Sequence, residues 1–166
     1  MIRRDHQAGN VTSHALWSDC GGYRYGLCRR WADGPELNYV MLNPSKATEA
    51  HNDATIERCQ RRATALGFGA FSATNLFAYC ATDPRDLKAA AEPVGPENDV
   101  ILAETAGRAD MVLCAWGVHG AHLGRADEVA KLLAGRPLHV LGLSKAGHPR
   151  HPLYVPYAAK PLLWQS

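Results

Sequence analysis

The sequence predicts an α/β fold: a three-layer α/β/α sandwich on a four-stranded, mainly parallel sheet, preceded by an N-terminal β-hairpin. Three observations carry this. Short apolar runs at Asn38–Leu42, Ala70–Ala78, Asp110–Trp116 and Leu138–Leu143 alternate with helical stretches, the pattern of parallel strands joined by crossovers. With 166 residues, 46% of them hydrophobic and 20% charged, the chain has the size and usage of a globular domain with a real core. No repeat, low-complexity tract or linker divides it, so residues 1–166 read as a single domain.

Each element has a local reason. Residues 1–10 are polar and read as flexible. His14–Trp17 and Tyr23–Trp31 flank the turn-rich Ser18-Asp19-Cys20-Gly21-Gly22, a hairpin pattern in which Tyr23, Tyr25 and Leu27 alternate with Arg24 and Gly26. Asn38–Leu42 is too short for a helix and is stopped by Pro44. The polar stretch Lys46–Asn52 reads as a flexible segment over that strand's mouth. Asp53 can cap a helix from Ala54 to about Leu66, with Ile56, Cys59, Ala63 and Leu66 as its apolar stripe and Arg58, Arg61 and Arg62 on the polar side. Gly67 and Gly69 end it. Thr82-Asp83-Pro84 reads as a cap with proline at the first helical position. Further helices are expected from Glu97 to Arg108 and from Ala121 to Ala134, the latter with Val129, Leu132 and Leu133 inward. The tail ends in Pro161-Leu162-Leu163-Trp164, apolar enough to dock.

Composition excludes several classes. A formal charge of +2 does not by itself demand a nucleic-acid partner, although arginines cluster at Arg3-Arg4, Arg29-Arg30 and Arg61-Arg62. Five cysteines, an odd number without a Cys-x-x-Cys pair, argue against a disulfide scaffold or zinc ribbon. No apolar run approaches the ~20 residues of a membrane span, and Met1–His6 lacks a signal-peptide core. A soluble, cytoplasmic protein without membrane partners is the expectation. No Walker A, Gly-x-Gly-x-x-Gly or Gly-x-Ser-x-Gly sequence occurs.

The chemistry-bearing residues sit where strands end. Asn43 follows the first central strand, Asn75 lies in the second, and His148 and His151 follow the last. In a parallel sheet these ends share one edge, where ligands bind. A carboxamide accepts and donates together, so it can orient a water or read an amide-bearing ring edge. A histidine can donate to an oxygen on which charge develops. Each residue also has an ordinary reading: Asn-Pro-Ser as a turn, the histidines as surface loop, Asp53 as a cap. His119/His122 and His148/His151 form His-x-x-His pairs, but metal ligation would need further ligands, and neither metal nor cofactor is expected. Phe68, Phe71, Phe77 and Tyr79 flank Asn75; a base could stack on one of them, with core packing as the default.

Met41-Leu42-Asn43-Pro44-Ser45, Asn52-Asp53-Ala54-Thr55-Ile56, Thr74-Asn75-Leu76-Phe77-Ala78 and Gly147-His148-Pro149-Arg150-His151-Pro152-Leu153-Tyr154 together resemble the bacterial and phage family called domain of unknown function 1643, from about Tyr23 to Tyr157. Motif order is also similar, more distantly, to the uracil-DNA glycosylase superfamily and its mismatch-specific branch. Met41–Ser45 partly echoes a Gly-Ile-Asn-Pro-Gly motif, and His148–Leu153 a His-Pro-Ser-Pro-Leu motif with one residue more. That resemblance implies a uracil-DNA-glycosylase-like fold and a nucleobase-recognising hydrolase of N-glycosidic bonds. Asn43 would position water, His148 or His151 would stabilise the leaving base, and Asn75 would read its edge. Pro44, Ser45, Asp53, Phe77 and Arg150 would contact substrate, Arg150 and the helix arginines through phosphates. A base within nucleic acid would have to be flipped out of the stack. Two other readings stay open: a non-catalytic module binding a nucleotide or modified base, and a hydrolase of free nucleosides.

Overall fold

The structure, a computed structural model, describes residues 1–165. Eight strands form one mixed sheet: β1 (Ile2–Ala8), β2 (Val11–Trp17), β3 (Arg24–Arg30), β4 (Glu36–Met41), β5 (Ala70–Asn75), β6 (Met111–Cys114), β7 (Leu138–Val140) and β8 (Leu162–Gln165). Their order is β1-β2-β3-β5-β4-β6-β7-β8. The expected four-stranded sheet is therefore corrected. The strands foreseen as parallel, β5-β4-β6-β7, do run parallel, but antiparallel β1-β2-β3 extends the sheet on one side and β8 on the other. The physical reason is that the hairpin does not stand apart. β3 pairs with β5 from Leu27↔Ala73 to Arg30↔Ala70, satisfying an edge that would otherwise be left unpaired.

Residues 1–10 are likewise corrected: Ile2–Ala8 is a strand in full register with β2, Ile2 opposite Trp17 and Ala8 opposite Val11. Every residue of β1 is exposed, so neither face left an apolar alternation to read. The tail does dock, with Val140 opposite Leu162 and Trp164 edge-on to Trp116 at 5.8 Å between ring centroids.

Helices cover both faces. α1 (Ala54–Ala65) buries Ile56, Cys59 and Ala63 against Leu37, Tyr39 and Met41 of β4 and Leu113 of β6. On the other face α2 (Pro84–Ala89), α3 (Asn98–Arg108) and α4 (Arg125–Leu132) bury Leu87, Leu102, Ala106 and Val129 against Val40, Val112, Cys114 and Val140. The alternation of Tyr39 and Val40 between the two clusters is the two-residue period of a strand covered on both sides. Each fully buried large side chain contributes roughly 1.5–3 kcal/mol. The caps are as the sequence requires. The Asp53 carboxylate accepts from Ile56 N–H at 2.9 Å, and Asp83 accepts from Arg85 N–H at 2.8 Å ahead of Pro84. The helix expected from Ala121 begins only at Arg125. Residues Val118–Gly124 form a kinked 3₁₀ segment with Leu123 and Gly124 in the left-handed region, and Leu132 is exposed.

Two further expectations are overturned by arginine. Lys46–Asn52 is pinned, not free: buried Arg24 donates to the Ala47 carbonyl, and Arg29 reaches the carbonyls of Thr48 and His51 and the Asn52 side chain. Arg58 and Arg62 do not form a polar face. Arg62 is 1% exposed and donates to the carbonyls of Val155, Pro156 and Ala159, while Arg58 donates to those of Pro152 and Val155. Both stack on Tyr157. They hold the C-terminal loop on α1, because that loop's carbonyls have no strand to pair with.

Candidate functional site

A cleft of about 710 Å³ opens at the C-terminal edge of the four parallel strands. Met41, Leu42 and Asn43 enter it from the end of β4, Asn75 from β5, Trp116 and Gly117 from beyond β6, and Ser144 from beyond β7. Strand order makes this the favoured place. The chain leaves β4 towards β5 on one side, then crosses to β6 on the other, so the connections diverge and leave a crevice. The loop after β7 closes the opposite wall. It folds back through a bridge between Leu143 and Pro149, and brings in His148, Arg150 and His151. The Asn-Pro-Ser turn and the His-Pro-Arg-His loop thus lie on one cleft, along with Ser45 and Asp53.

The side chains differ in how free they are. Asn43 Nδ2 donates to the carbonyls of Pro44, Ala81 and Tyr79 at 2.9, 2.8 and 3.4 Å. Three acceptors around one atom set the amide orientation, so only the oxygen can serve a ligand, as an acceptor. Pro44 is buried and shapes the turn without lining the cleft. Ser45 Oγ and Thr82 Oγ1 share a 3.2 Å hydrogen bond across the cleft's edge. Asp53 accepts from Ala47 N–H at 3.2 Å besides capping α1, and it is the one acidic residue among those lining the cleft.

Asn75 is the opposite of Asn43. It is 1% exposed, and both its amide nitrogen and its amide oxygen are buried without a partner among the described residues. An unpaired buried amide costs roughly 1–3 kcal/mol. Neighbouring Asn98 uses its amide nitrogen, which donates to the carbonyls of Asn75 and Leu76 at 3.0 and 3.1 Å, and leaves only its oxygen without a partner among the described residues.

His151 Nδ1 accepts from Leu153 N–H at 3.3 Å, which requires that nitrogen to be unprotonated. Burial pushes the imidazole below its ordinary value, with Asp53 opposing the shift. The ring is therefore neutral with its proton on Nε2, a hydrogen-bond donor. The backbone N–H of His148 donates to Ser144 Oγ at 3.1 Å, and its imidazole makes no hydrogen bond to the described residues. Arg150 is exposed, with one bond to the Tyr154 carbonyl. Phe77 is corrected: it is fully buried among the α3 and α4 side chains, tilted against His122, and does not reach the cleft.

Three cleft residues escaped the sequence reading. Arg24 sits between two tyrosines in a hairpin strand and reads as solvent-facing. The 46–53 loop and α3 cover both faces of that strand, leaving Arg24 at 2% exposure. Burial pulls its guanidinium down to about 10. Trp116 is 2% exposed with an unpartnered Nε1. Its place just after a strand and before Gly117 is the same signal that marks Asn43, and could have found it. Lys46 brings a second positive charge. A Cβ on Gly120 would overlap Trp116 Cδ1, so glycine lets the chain cross that ring.

A second hollow, of about 670 Å³, lies between β1–β2 and α1. Its polar groups satisfy one another: Arg29 bonds Asn52, Asn52 bonds Glu57, and Glu57 pairs with Arg61. None of its lining residues holds a buried unpartnered side-chain atom, whereas Arg24, Asn75 and Trp116 of the first cleft all do. Among the described residues no three His, Cys, Asp or Glu side chains gather as a metal centre would need, and no helix is long and apolar enough to cross a membrane.

Fold and cleft together define a mixed α/β protein with a crevice at the carboxyl edge of its parallel strands. The chain belongs to the family described as protein of unknown function (DUF1643), whose model matches residues 24–153. The match begins at Arg24 and ends just beyond His151, so it spans every cleft residue but Tyr154. No curated protein and no solved structure matches the chain, and the likeness to uracil-DNA glycosylases has no counterpart there.

Proposed function

We propose that this protein recognises a nucleobase in the cleft and hydrolyses its N-glycosidic bond. The observation that supports this most is Asn75: a buried carboxamide with donor and acceptor both unused complements a ring edge in which N–H stands beside C=O. Trp116 adds an indole N–H and an apolar surface for the ring.

The remaining groups suit the bond-breaking step. A water hydrogen-bonded to Asn43 Oδ1 attacks C1′, and its proton passes to the Asp53 carboxylate. The C1′–N bond breaks, and the base leaves with the electron pair. His151 Nε2–H donates to the ring atom on which that charge gathers. A neutral histidine suits this role because its donor is set by the Leu153 contact and needs no prior protonation. The proposed step uses protein groups alone.

Incubation with nucleosides, nucleotides and base-modified oligonucleotides, with released base measured by chromatography, tests the reading. We expect free base from at least one class. Asn75→Leu abolishes binding, while His151→Phe lowers kcat with little change in KM. Binding without release would make the protein a sensor. Neither binding nor release from any class would refute the proposal.

A further inference from the structure

Arg24 differs from the other buried arginines of the fold. Arg125 is paired with Asp99 and Glu128 and donates from Nε to the Leu76 carbonyl at 2.8 Å. Arg62 is spent on three loop carbonyls. Among the described residues Arg24 has one acceptor, the Ala47 carbonyl, and no ion pair; its Nε is buried and unpartnered, as is that of Arg62, but Arg62 has three acceptors for its other nitrogens. A guanidinium carries five N–H donors, so most of this one's capacity is unused. It lines the cleft on β3, the strand next to the one that carries Asn75. Among charged lining residues, Arg24, Lys46 and Arg150 face a single acid, Asp53.

A buried, unpaired cation calls for an anion. We propose that Arg24 binds a terminal phosphate, so that the cleft takes a free mononucleotide and not a base within a strand. Enclosure argues for the terminal group. A phosphodiester has chain leaving on both sides and cannot come up to a guanidinium that is 2% exposed, whereas a phosphomonoester ends there. The planar fork bonds two phosphate oxygens together, and Lys46 supplies further charge at the rim. The choice of nucleotide rests on the nucleobase reading given above; the anion site does not.

Calorimetric titration and thermal melting at constant ionic strength test it, with inorganic phosphate, a nucleoside, its 5′-monophosphate and a single-stranded oligonucleotide as probes. We expect phosphate, but not chloride, to raise the melting temperature by several degrees, and the monophosphate to bind at least about tenfold more tightly than the nucleoside. Arg24→Met should erase both effects and still bind the nucleoside. Arg24→Lys, keeping charge without the fork, should fall between. Should Arg24→Met fail to fold, the wild-type comparison of nucleoside with monophosphate decides. Equal affinity for that pair, or an oligonucleotide binding as tightly as the monophosphate, overturns the proposal. Phosphate binding with no response to any nucleobase would instead sink the nucleobase reading and leave the anion site standing.

Discussion

Asn75→Leu should make this protein more stable and leave its cleft without a ligand. Leucine keeps the branched heavy-atom skeleton of asparagine, so the substitution removes two polar atoms, and the added bulk of its methyl groups falls at the cleft that Asn75 lines. In the native protein both atoms are buried and unpartnered. Relief of that desolvation is worth about 1–3 kcal/mol. For a chain of this size each kcal/mol moves the melting temperature by about 2–4 °C. Urea denaturation should therefore show a higher midpoint with unchanged slope, the mark of altered stability without altered compactness. Asn98→Leu is the control, since its amide serves the carbonyls of Asn75 and Leu76; it should lose about 1–3 kcal/mol. A loss of more than about 1 kcal/mol in Asn75→Leu would mean that the amide has a structural partner, and the argument from Asn75 to a ligand would fail. A buried polar group that destabilises the fold is the expected signature of a functional site.

Three other perturbations probe the surroundings of the cleft. Burial holds His151 below its ordinary value near 6.5, so the native state binds fewer protons than the unfolded chain; stability should fall as pH drops through 6.5 towards the folded value. His14 is lowered for the same reason, so His151→Phe should flatten, and not abolish, the dependence of the urea midpoint between about pH 7.5 and pH 5. Arg62→Met strips three carbonyls of their donor and should cost about 2–4 kcal/mol, with faster proteolysis between Leu153 and Pro161. Gly120→Ala drives a methyl into the ring of Trp116; we expect about 1–3 kcal/mol of destabilisation, a changed tryptophan emission and weaker ligand binding.

Local chemistry determined much of this protein. Asp53 and Asp83 cap helices because a side-chain oxygen must meet free N–H groups, and Pro84 sits where its missing N–H is harmless. Val40 and Met41 end a strand because the apolar run stops just ahead of Pro44. Strand ends in a parallel sheet share an edge, so Asn43, Asn75, His148 and His151 could be placed near one another from sequence alone. What no window of residues contains is pairing between distant segments. The polar, exposed β1 and the tail strand β8 exist because a neighbour offers them a ladder, and neither carries a period of its own. Burial decided the rest. Arg24, Arg58 and Arg62 look alike as letters, yet Arg58 and Arg62 each hold several loop carbonyls, while Arg24 holds one and lines the cleft. Phe77 and Trp116 look alike as aromatic residues, yet of the two Trp116 lines the cleft and Phe77 does not. Which partner a side chain meets depends on the layers packed above and below it, and those layers come from residues far away along the chain.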